Sequence, residues 1–352
     1  MRKFAVFSGF LGSGKTTTMM ALTQYYTAQH AKAAMISNDL GHGVTLADNR
    51  LAQLCGCRAS EITDDCICYV NEQLADRLNA YFDEGCELVV SDIPGFGVGA
   101  LEHVYHGLTE KFPGRFELAP FTVLVEPRTV ELMRSGQSGD QAYLYHTQLV
   151  EADLIVLNKC DLLTSSAREA DLAWLSEQYP QAQVIAISAL REEGLEELSQ
   201  ALVQGKASMR RPDIGYGGEA FQFAMSKISE FYLQYHAIVC CNDFDGNAYL
   251  RAIAAQVREE IQRADYLIPH LKLLAWEPEG DFGKVDLIGT DREIEITHRF
   301  EHPCVEIAVL LNTTAACPVE KLEEIVVNAV RTVSDAYQLE LTVFKQEGLG
   351  MG

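Results

Sequence analysis

One stretch near the start of the chain restricts its folding more than any other: Ser8-Gly9-Phe10-Leu11-Gly12-Ser13-Gly14-Lys15-Thr16-Thr17. It carries a glycine, four residues, then Gly-Lys-Thr. Glycines at 9, 12 and 14 let the backbone curl until several N–H groups face one point, which suits a phosphate. That geometry works only between a buried strand and a helix whose positive N-terminal end adds to the site. Both neighbours are present, since residues 4–8 form a short apolar run and residues 16–30 read as a helix. Lys15 is then expected to reach the β and γ phosphates and Thr16 to ligate Mg²⁺ through its hydroxyl, with Gly9, Gly12, Ser13, Gly14 and Thr17 completing the cradle.

The rest of the first two hundred residues agrees with that start. Apolar runs recur at 33–37, 87–92, 121–125, 153–158 and 183–188. Each is continuous rather than alternating, the pattern of a strand buried on both faces. Helix-like stretches at 72–83, 168–178 and 194–203 separate them. Strands alternating with helices predict an α/β fold, a P-loop NTPase with a doubly wound, mostly parallel sheet. Residues 209–218 hold two arginines, a proline and three glycines and read as a linker. Beyond it, strands are expected at 221–227, 232–241, 270–276, 284–290, 305–311 and 339–345, with helices marked by Leu250, Ile253, Val257 and Ile261 and by Leu322, Ile325, Val326, Ala329 and Val333. The expected domains are 1–208, the nucleotide domain, and 219–352, a smaller α+β domain for which a ferredoxin-like arrangement is a candidate.

Bulk properties narrow the partners. The 352 residues suit two domains, and 48% hydrophobic content is enough for two cores. A net charge of −22 argues against a nucleic acid partner, because neutralising phosphates needs a dense basic surface. No stretch approaches the ~20 apolar residues that span a bilayer, so no membrane partner is expected. The apolar start breaks at Ser8-Gly9 and reads as a first strand rather than a leader. A cytoplasmic location follows as the expectation, and the ten cysteines are then expected as thiols or metal ligands.

Two further elements complete a nucleotide site. Leu88-Val89-Val90-Ser91-Asp92 is an apolar strand ending in a carboxylate suited to Mg²⁺, and Asp92-Ile93-Pro94-Gly95 places a glycine N–H where it can sense the γ phosphate. Lys15, Asp92 and Gly95 are the candidate catalytic residues. Asn158-Lys159-Cys160-Asp161 ends another strand. Its aspartate can accept from both N1–H and the exocyclic amine of guanine, a donor pair adenine lacks. Ser188-Ala189-Leu190 ends the next strand and supplies a backbone N–H for the guanine O6. Two base-reading elements at strand ends predict GTP rather than ATP.

Cys55-Gly56-Cys57 and Cys66-Ile67-Cys68 follow a different logic. On extended chain, residues i and i+2 point the same way, so each pair can offer two thiolates to a soft ion, and all four can close a tetrahedral site. Glu102-His103-Val104-Tyr105-His106 sets two histidines three apart, as a solvated pair or as further ligands. Cys240-Cys241 reads as structural, because neighbours on a strand point to opposite faces.

These motifs together resemble the CobW/HypB/UreG family of P-loop GTPases, its CobW-like branch most closely, over residues 3–205. The phosphate loop is similar almost letter for letter. Asn38-Asp39-Leu40-Gly41 is similar to an Asn-Asp/Glu-Phe-Gly element whose acid lies near the magnesium, and Asp65-Cys66-Ile67-Cys68-Tyr69 to a Gly-Cys-Ile-Cys-Cys element. The resemblance implies GTP hydrolysis coupled to delivery of a metal or metal cofactor, with Zn²⁺, Ni²⁺ or Co²⁺ as candidate cargo, Asp39 as a further Mg²⁺ ligand, and Cys66 and Cys68 as cargo ligands. It implies a client metalloprotein or corrinoid protein, and a GTP-dependent homodimer as a candidate assembly. The chain departs from the pattern at Asp65, at Tyr69, where the third thiolate would stand, and at Asp92, where the branch often has glutamate. Three functions therefore compete: a metallochaperone using GTP, a GTP-dependent activator of a corrinoid or methyltransferase protein whose cysteines bind no metal, and a regulatory GTPase acting as a binding module.

Overall fold

The apolar runs become strands, and those at the centre of the first sheet have no solvent-facing side. A computed structural model describes residues 2–239, 242–266 and 270–351, with the backbone alone at Asp140; the Cys240-Cys241 pair lies outside the described residues. In order come β1 (Lys3–Ser8), α1 (Lys15–Ala28), β2 (Ala33–Asn38), α2 (Ala47–Leu54), β3 (Ala59–Ile62), α3 (Asn71–Asp83), β4 (Leu88–Asp92) and a π-helical turn, Leu101–His106, that runs into α4 (Gly107–Lys111). Next are β5 (Glu117–Leu118), β6 (Thr122–Val125), α5 (Pro127–Ser135), α6 (Ala142–Glu151), β7 (Leu154–Leu157), α7 (Ser165–Gln178), β8 (Gln183–Ala186), α8 (Leu195–Gln204) and α9 (Glu219–Met225). The C-terminal part adds β9 (Ser229–Val239), α10 (Gly246–Arg263), β10 (His270–Trp276), β11 (Phe282–Leu287), β12 (Glu295–His298), β13 (Glu306–Ala315), α11 (Val319–Ala336) and β14 (Leu339–Gly350).

The first sheet runs β3-β2-β4-β1-β6-β7-β8, with β5 also on β1, and all its pairings are parallel. Every residue of β1, β2 and β4 is buried, as a strand with helices over both faces demands. β1 changes partner halfway. Lys3 and Phe4 lie against β5, while Phe7 and Ser8 lie against β6. In the gap, the Val6 N–H donates to the Tyr105 hydroxyl at 3.0 Å. Tyr105 is wholly buried there against Phe4 and Phe121, so a side chain from the π-helical turn supplies an acceptor that no strand provides.

The second sheet is antiparallel, in the order β12-β11-β10-β13-β9-β14. Without the β11–β12 hairpin at its edge, the chain order β9-α10-β10-β13-α11-β14 and the spatial order β10-β13-β9-β14 give the split βαβ, ferredoxin-like pattern. Phe231, Leu233, Tyr235 and Ala237 alternate along β9 into a core shared with Leu250, Ile253 and Val257 of α10 and Leu322, Val326 and Val330 of α11. Each helix shows the 3.6-residue repeat its sequence predicts.

The chain divides into two compact units, residues 1–40 with 55–224, and residues 41–54 with 225–352. The segment 41–54, left by sequence inside the first domain, thus belongs to the second unit. Val44 and Leu46 pack on Tyr232, the Lys272 ammonium donates to Asp48 at 2.6 Å, and the Arg50 guanidinium lies 4.7 Å from the Trp276 ring centre. A second correction concerns 221–227, expected as a strand because Phe221, Phe223 and Met225 alternate. A turn closed by Gly218 N–H on the Gly215 carbonyl leads instead into helix α9, in which Ala224 is buried and Phe223 exposed. Among the described residues no helix is long and apolar enough to cross a membrane.

Replacing Tyr105 with Phe should leave the Val6 N–H buried without an acceptor, at a cost of about 1–3 kcal/mol. Chemical denaturation reads this directly, and unchanged stability would contradict the role given to the hydroxyl.

Candidate nucleotide site and its thiol neighbour

Parallel strands bring their C-terminal ends to one edge, and the predicted site residues collect there. The register sets Asp92 of β4 beside Phe7 of β1, two residues before Gly9. Asn158 follows directly on β7, Ser188 stands two residues beyond β8, and β7 and β8 are paired. Carboxylate, phosphate loop and base reader therefore share the edge where open α/β sheets bind ligands.

The loop itself leaves little room. Gly9, Gly12 and Gly14 have φ of 131°, 82° and 92°. A Cβ at Gly9 would strike the Leu124 carbonyl, and one at Gly14 would strike the Asn158 side-chain amide. Gly14 is also the N-cap of α1; it offers no side chain to the first turn, and that turn holds no acidic residue. The helix's leading N–H groups are thus left for an outside anion. Lys15 folds back, its ammonium 2.7 Å from the Gly9 carbonyl. Ser13 Oγ is buried with no hydrogen-bond partner among the described residues. An orphaned hydroxyl, an uncapped helix start and a loop ammonium are the donor set a triphosphate needs. Thr16 is half-buried in the first turn, and Thr17 is exposed.

Asn158 ties this loop to the base-reading elements. Its side-chain amide donates to the Ser13 carbonyl at 2.9 Å, and its Oδ1 accepts from Ala189 N–H at 3.1 Å. Asp161 accepts from the Ser188 hydroxyl at 2.6 Å. Lys159 takes a left-handed φ of 61°, and its ammonium is 2.8 Å from the Glu126 carboxylate. Sequence reading passed over Glu126, although a carboxylate directly after β6 is a signal of the same kind as Asp92 after β4. Leu190 is 72% exposed, so any contribution it makes to the base pocket comes from its backbone.

Asp92 is buried at the end of β4, and its Oδ1 accepts from Asn38 N–H at 3.0 Å. Asp39 follows in the chain and its carboxylate accepts from the Leu40 N–H at 2.9 Å. Gly95 packs so tightly on Leu11 that a Cβ would approach the Leu11 nitrogen to 2.9 Å, which brings this glycine against the phosphate loop. Two residues of α6 that sequence missed fasten the segment behind it. Gln148 donates to the Gly95 and Gly97 carbonyls, both at 3.0 Å, and Glu151 accepts from Gly99 N–H at 2.8 Å and Leu101 N–H at 3.2 Å. Neither carries a motif, because any buried helix face can hold a polar residue.

The cysteines do not form one site. Cys66 and Cys68 sit in the turn between β3 and α3 with their sulfurs 2.9 Å apart. The Cys66 sulfur beside it, together with burial, holds the Cys68 thiol well above its ordinary pKa. Cys57 precedes β3 and points toward the Met20 carbonyl, 3.9 Å away, and burial raises its thiol to about 11. The four residues of β3 separate the pairs by about 13 Å of extended chain, which corrects the four-thiolate expectation. Among the described residues no three His, Cys, Asp or Glu side chains are grouped to hold a metal ion. The two histidines also part company. The π-helical winding turns His103 between the rings of Tyr69 and Tyr216, 5.8 and 4.9 Å away, and His106 toward the Arg210 carbonyl at 3.3 Å. Tyr69, 54% exposed, places its hydroxyl on that of Tyr216.

Glu151 gives the loop behind Gly95 a pH signature. Burial raises its carboxyl to about 7, against the opposing pull of the Gly99 and Leu101 N–H groups and of Arg210. An acid with a raised folded pKa adds stability that is full below its unfolded pKa near 4.5 and lost as pH climbs through 7. Glu151→Gln should lose less stability than the wild type between pH 5 and 8, by up to about 3 kcal/mol. Urea denaturation at both pH values checks this; equal losses would contradict it.

A model of the CobW/HypB/UreG nucleotide-binding domain matches residues 3–186, just over half of the chain. The chain is 27% identical over 193 residues to the zinc chaperone YeiR of Escherichia coli K12, covering 53% of this chain and 55% of that one. It is 34% identical over 129 residues to the GTPase Obg of Mycoplasmopsis pulmonis, covering 35% of this chain and 29% of that one. The chain thus spans about half or less of the length of these curated relatives. Among solved structures, HypB from Helicobacter pylori in complex with nickel is similar at a TM-score of 0.41 and 19% identity, over 58% of this chain and 89% of that one. On the strength of the domain match, this chain belongs to the CobW/HypB/UreG family of P-loop GTPases.

Proposed function

We propose that the chain binds and hydrolyses GTP and uses that cycle to load or release a metal ion on Cys66 and Cys68. The observation that carries this reading is the thiol pair itself. Two sulfurs 2.9 Å apart stand in a turn fastened to the end of β2, the neighbour of the strand that carries Asp92. Relatives with the same nucleotide domain include a zinc chaperone. Zn²⁺, Ni²⁺ or Co²⁺ is then the cargo rather than a resident cofactor. Two thiolates fill half of a tetrahedral shell, leaving positions for ligands of a client protein or of a second copy of the chain. A half-filled shell is also the easier one to hand over.

In this reading Gly9, Gly12, Ser13, Gly14 and Thr17 surround the phosphates, and Lys15 leaves the Gly9 carbonyl to meet them. Asn158, Lys159, Asp161, Ser188 and Ala189 hold the guanine. Thr16, Asp39 and Asp92 would hold Mg²⁺, which when bound neutralises charge that develops on the phosphate oxygens. Gly95, pressed against Leu11, senses whether the terminal phosphate is present. A second reading, GTP-driven activation of a corrinoid or methyltransferase protein with the thiols metal-free, draws support from Tyr69 at the third-thiolate position.

Lys15→Ala should weaken GTP binding about 30-fold or more, as loss of a buried charge partner does, and ATP should bind about 10²-fold or more weakly than GTP. Wild-type GTP affinity in Lys15→Ala would overturn the nucleotide site. Zn²⁺, Ni²⁺ and Co²⁺ titrations of Cys66→Ser/Cys68→Ser separate the two functional readings. Loss of one bound ion supports the metallochaperone, and unchanged stoichiometry supports the activator.

A further inference from the structure

The turn that carries Cys66 and Cys68 is held by two buried side-chain amides. Asn38, 4% exposed at the end of β2, donates from Nδ2 to the Ile62 carbonyl at 3.0 Å and to the Asp65 carbonyl at 2.9 Å. Its Oδ1 accepts from Ile67 N–H at 3.0 Å. One amide thus brackets Cys66 from both sides in sequence. Asn71, 3% exposed, holds the other side of the turn. It donates to the Ile67 carbonyl at 3.2 Å and to the His103 carbonyl at 3.2 Å, and packs where a side chain at Gly107 would collide with it.

Asn38 differs from Asn71 in what its backbone does. The β2–β4 ladder ends at the pair Ile36 and Ser91. Two residues on, the Asn38 N–H donates to the carboxylate of Asp92 instead of to a strand carbonyl. One residue therefore grips the Asp92 carboxylate with its main chain and the thiol turn with its side chain, and only its own Cα and Cβ stand between the backbone nitrogen and the amide carbon. A carboxylate that shifts on meeting a cation draws the Asn38 nitrogen with it, because a buried N–H that loses its acceptor costs the full desolvation penalty. The side chain must follow, since both of its polar atoms are engaged.

We propose that Asn38 is the positioning residue through which the nucleotide site sets the geometry, and hence the reactivity, of the Cys66–Cys68 pair. The proposal rests on the reading that GTP and a divalent cation bind beside Asp92; it does not require that the thiols carry a metal. Asn38→Asp keeps the backbone bond to Asp92 and an acceptor for Ile67 N–H, but its carboxylate cannot donate to the Ile62 and Asp65 carbonyls.

The test is the alkylation rate of Cys66 and Cys68 by iodoacetamide, mapped by mass spectrometry. It is measured on the full chain with Mg²⁺ alone, with GDP, and with a non-hydrolysable GTP analogue, and nucleotide affinity is measured on the same samples. In the wild type the analogue should change the rate at least about threefold, as a shift in a sulfur's access and surroundings does. In Asn38→Asp that ratio should fall to one while analogue affinity stays within about threefold of wild type. Asn71→Ser should raise labelling in every state and keep the ratio. Should Asn38→Asp not fold, hydrogen exchange at the wild-type Ile67 amide, the group Asn38 accepts from, gives the same answer and should differ between the Mg²⁺-only and analogue-bound states. Analogue bound with no change at Ile67 or at the thiols overturns the coupling alone. A full ratio in Asn38→Asp, or its loss in both variants alike, overturns the role of Asn38. Absence of analogue binding in the wild type overturns the functional reading and the proposal with it.

Discussion

At the sheet edge, the chain runs so close to its neighbours that three positions have no room for a side chain. Gly9 lies against the Leu124 carbonyl, Gly14 against the Asn158 amide, and Gly95 against Leu11. These contacts join three separate strand ends into one rigid cradle. The loop from β1 touches the segment after β7 at Gly14, and the glycine after β4 touches the loop at Leu11. Asn158 adds the polar link, with its amide on Ser13 and its carbonyl oxygen on Ala189.

The thiol pair hangs from the same edge by other means. Side-chain amides hold the turn of Cys66 and Cys68, together with the Tyr69 N–H on the Cys66 carbonyl and Ile67 in the core. Hydrogen bonds of this kind are directional, and each is worth about 1 kcal/mol net.

The cradle was legible in the sequence because its chemistry needs glycines, a lysine and paired aspartates at fixed spacing, and those letters serve few other purposes. The parallel sheet was legible because strands buried on both faces leave continuous apolar runs. What sequence could not supply is tertiary. Gln148, Glu151 and Asn71 do their work from helix faces where any polar residue would pass unnoticed. Cys57 and Cys66 are nine positions apart, close enough in sequence to suggest one metal site, yet a short strand nobody would assign from Ala59-Ser60-Glu61-Ile62 carries them apart. The segment 41–54 has ordinary composition, and only contacts such as Asp48 with Lys272, over two hundred residues distant, assign it to the second unit. Alternating phenylalanines at 221 and 223 mimicked a strand because a half-exposed short helix shows no clean period.

The central claim is that the nucleotide state governs metal binding at Cys66 and Cys68. It is tested most directly by titrating the anaerobically purified chain with Zn²⁺ against a competing chelator, with and without a non-hydrolysable GTP analogue and Mg²⁺. The account predicts one ion per chain and an affinity that differs about tenfold or more between the two states, a coupling of about 1.4 kcal/mol. Superimposable curves in the two states, with the analogue shown to be bound, would contradict it.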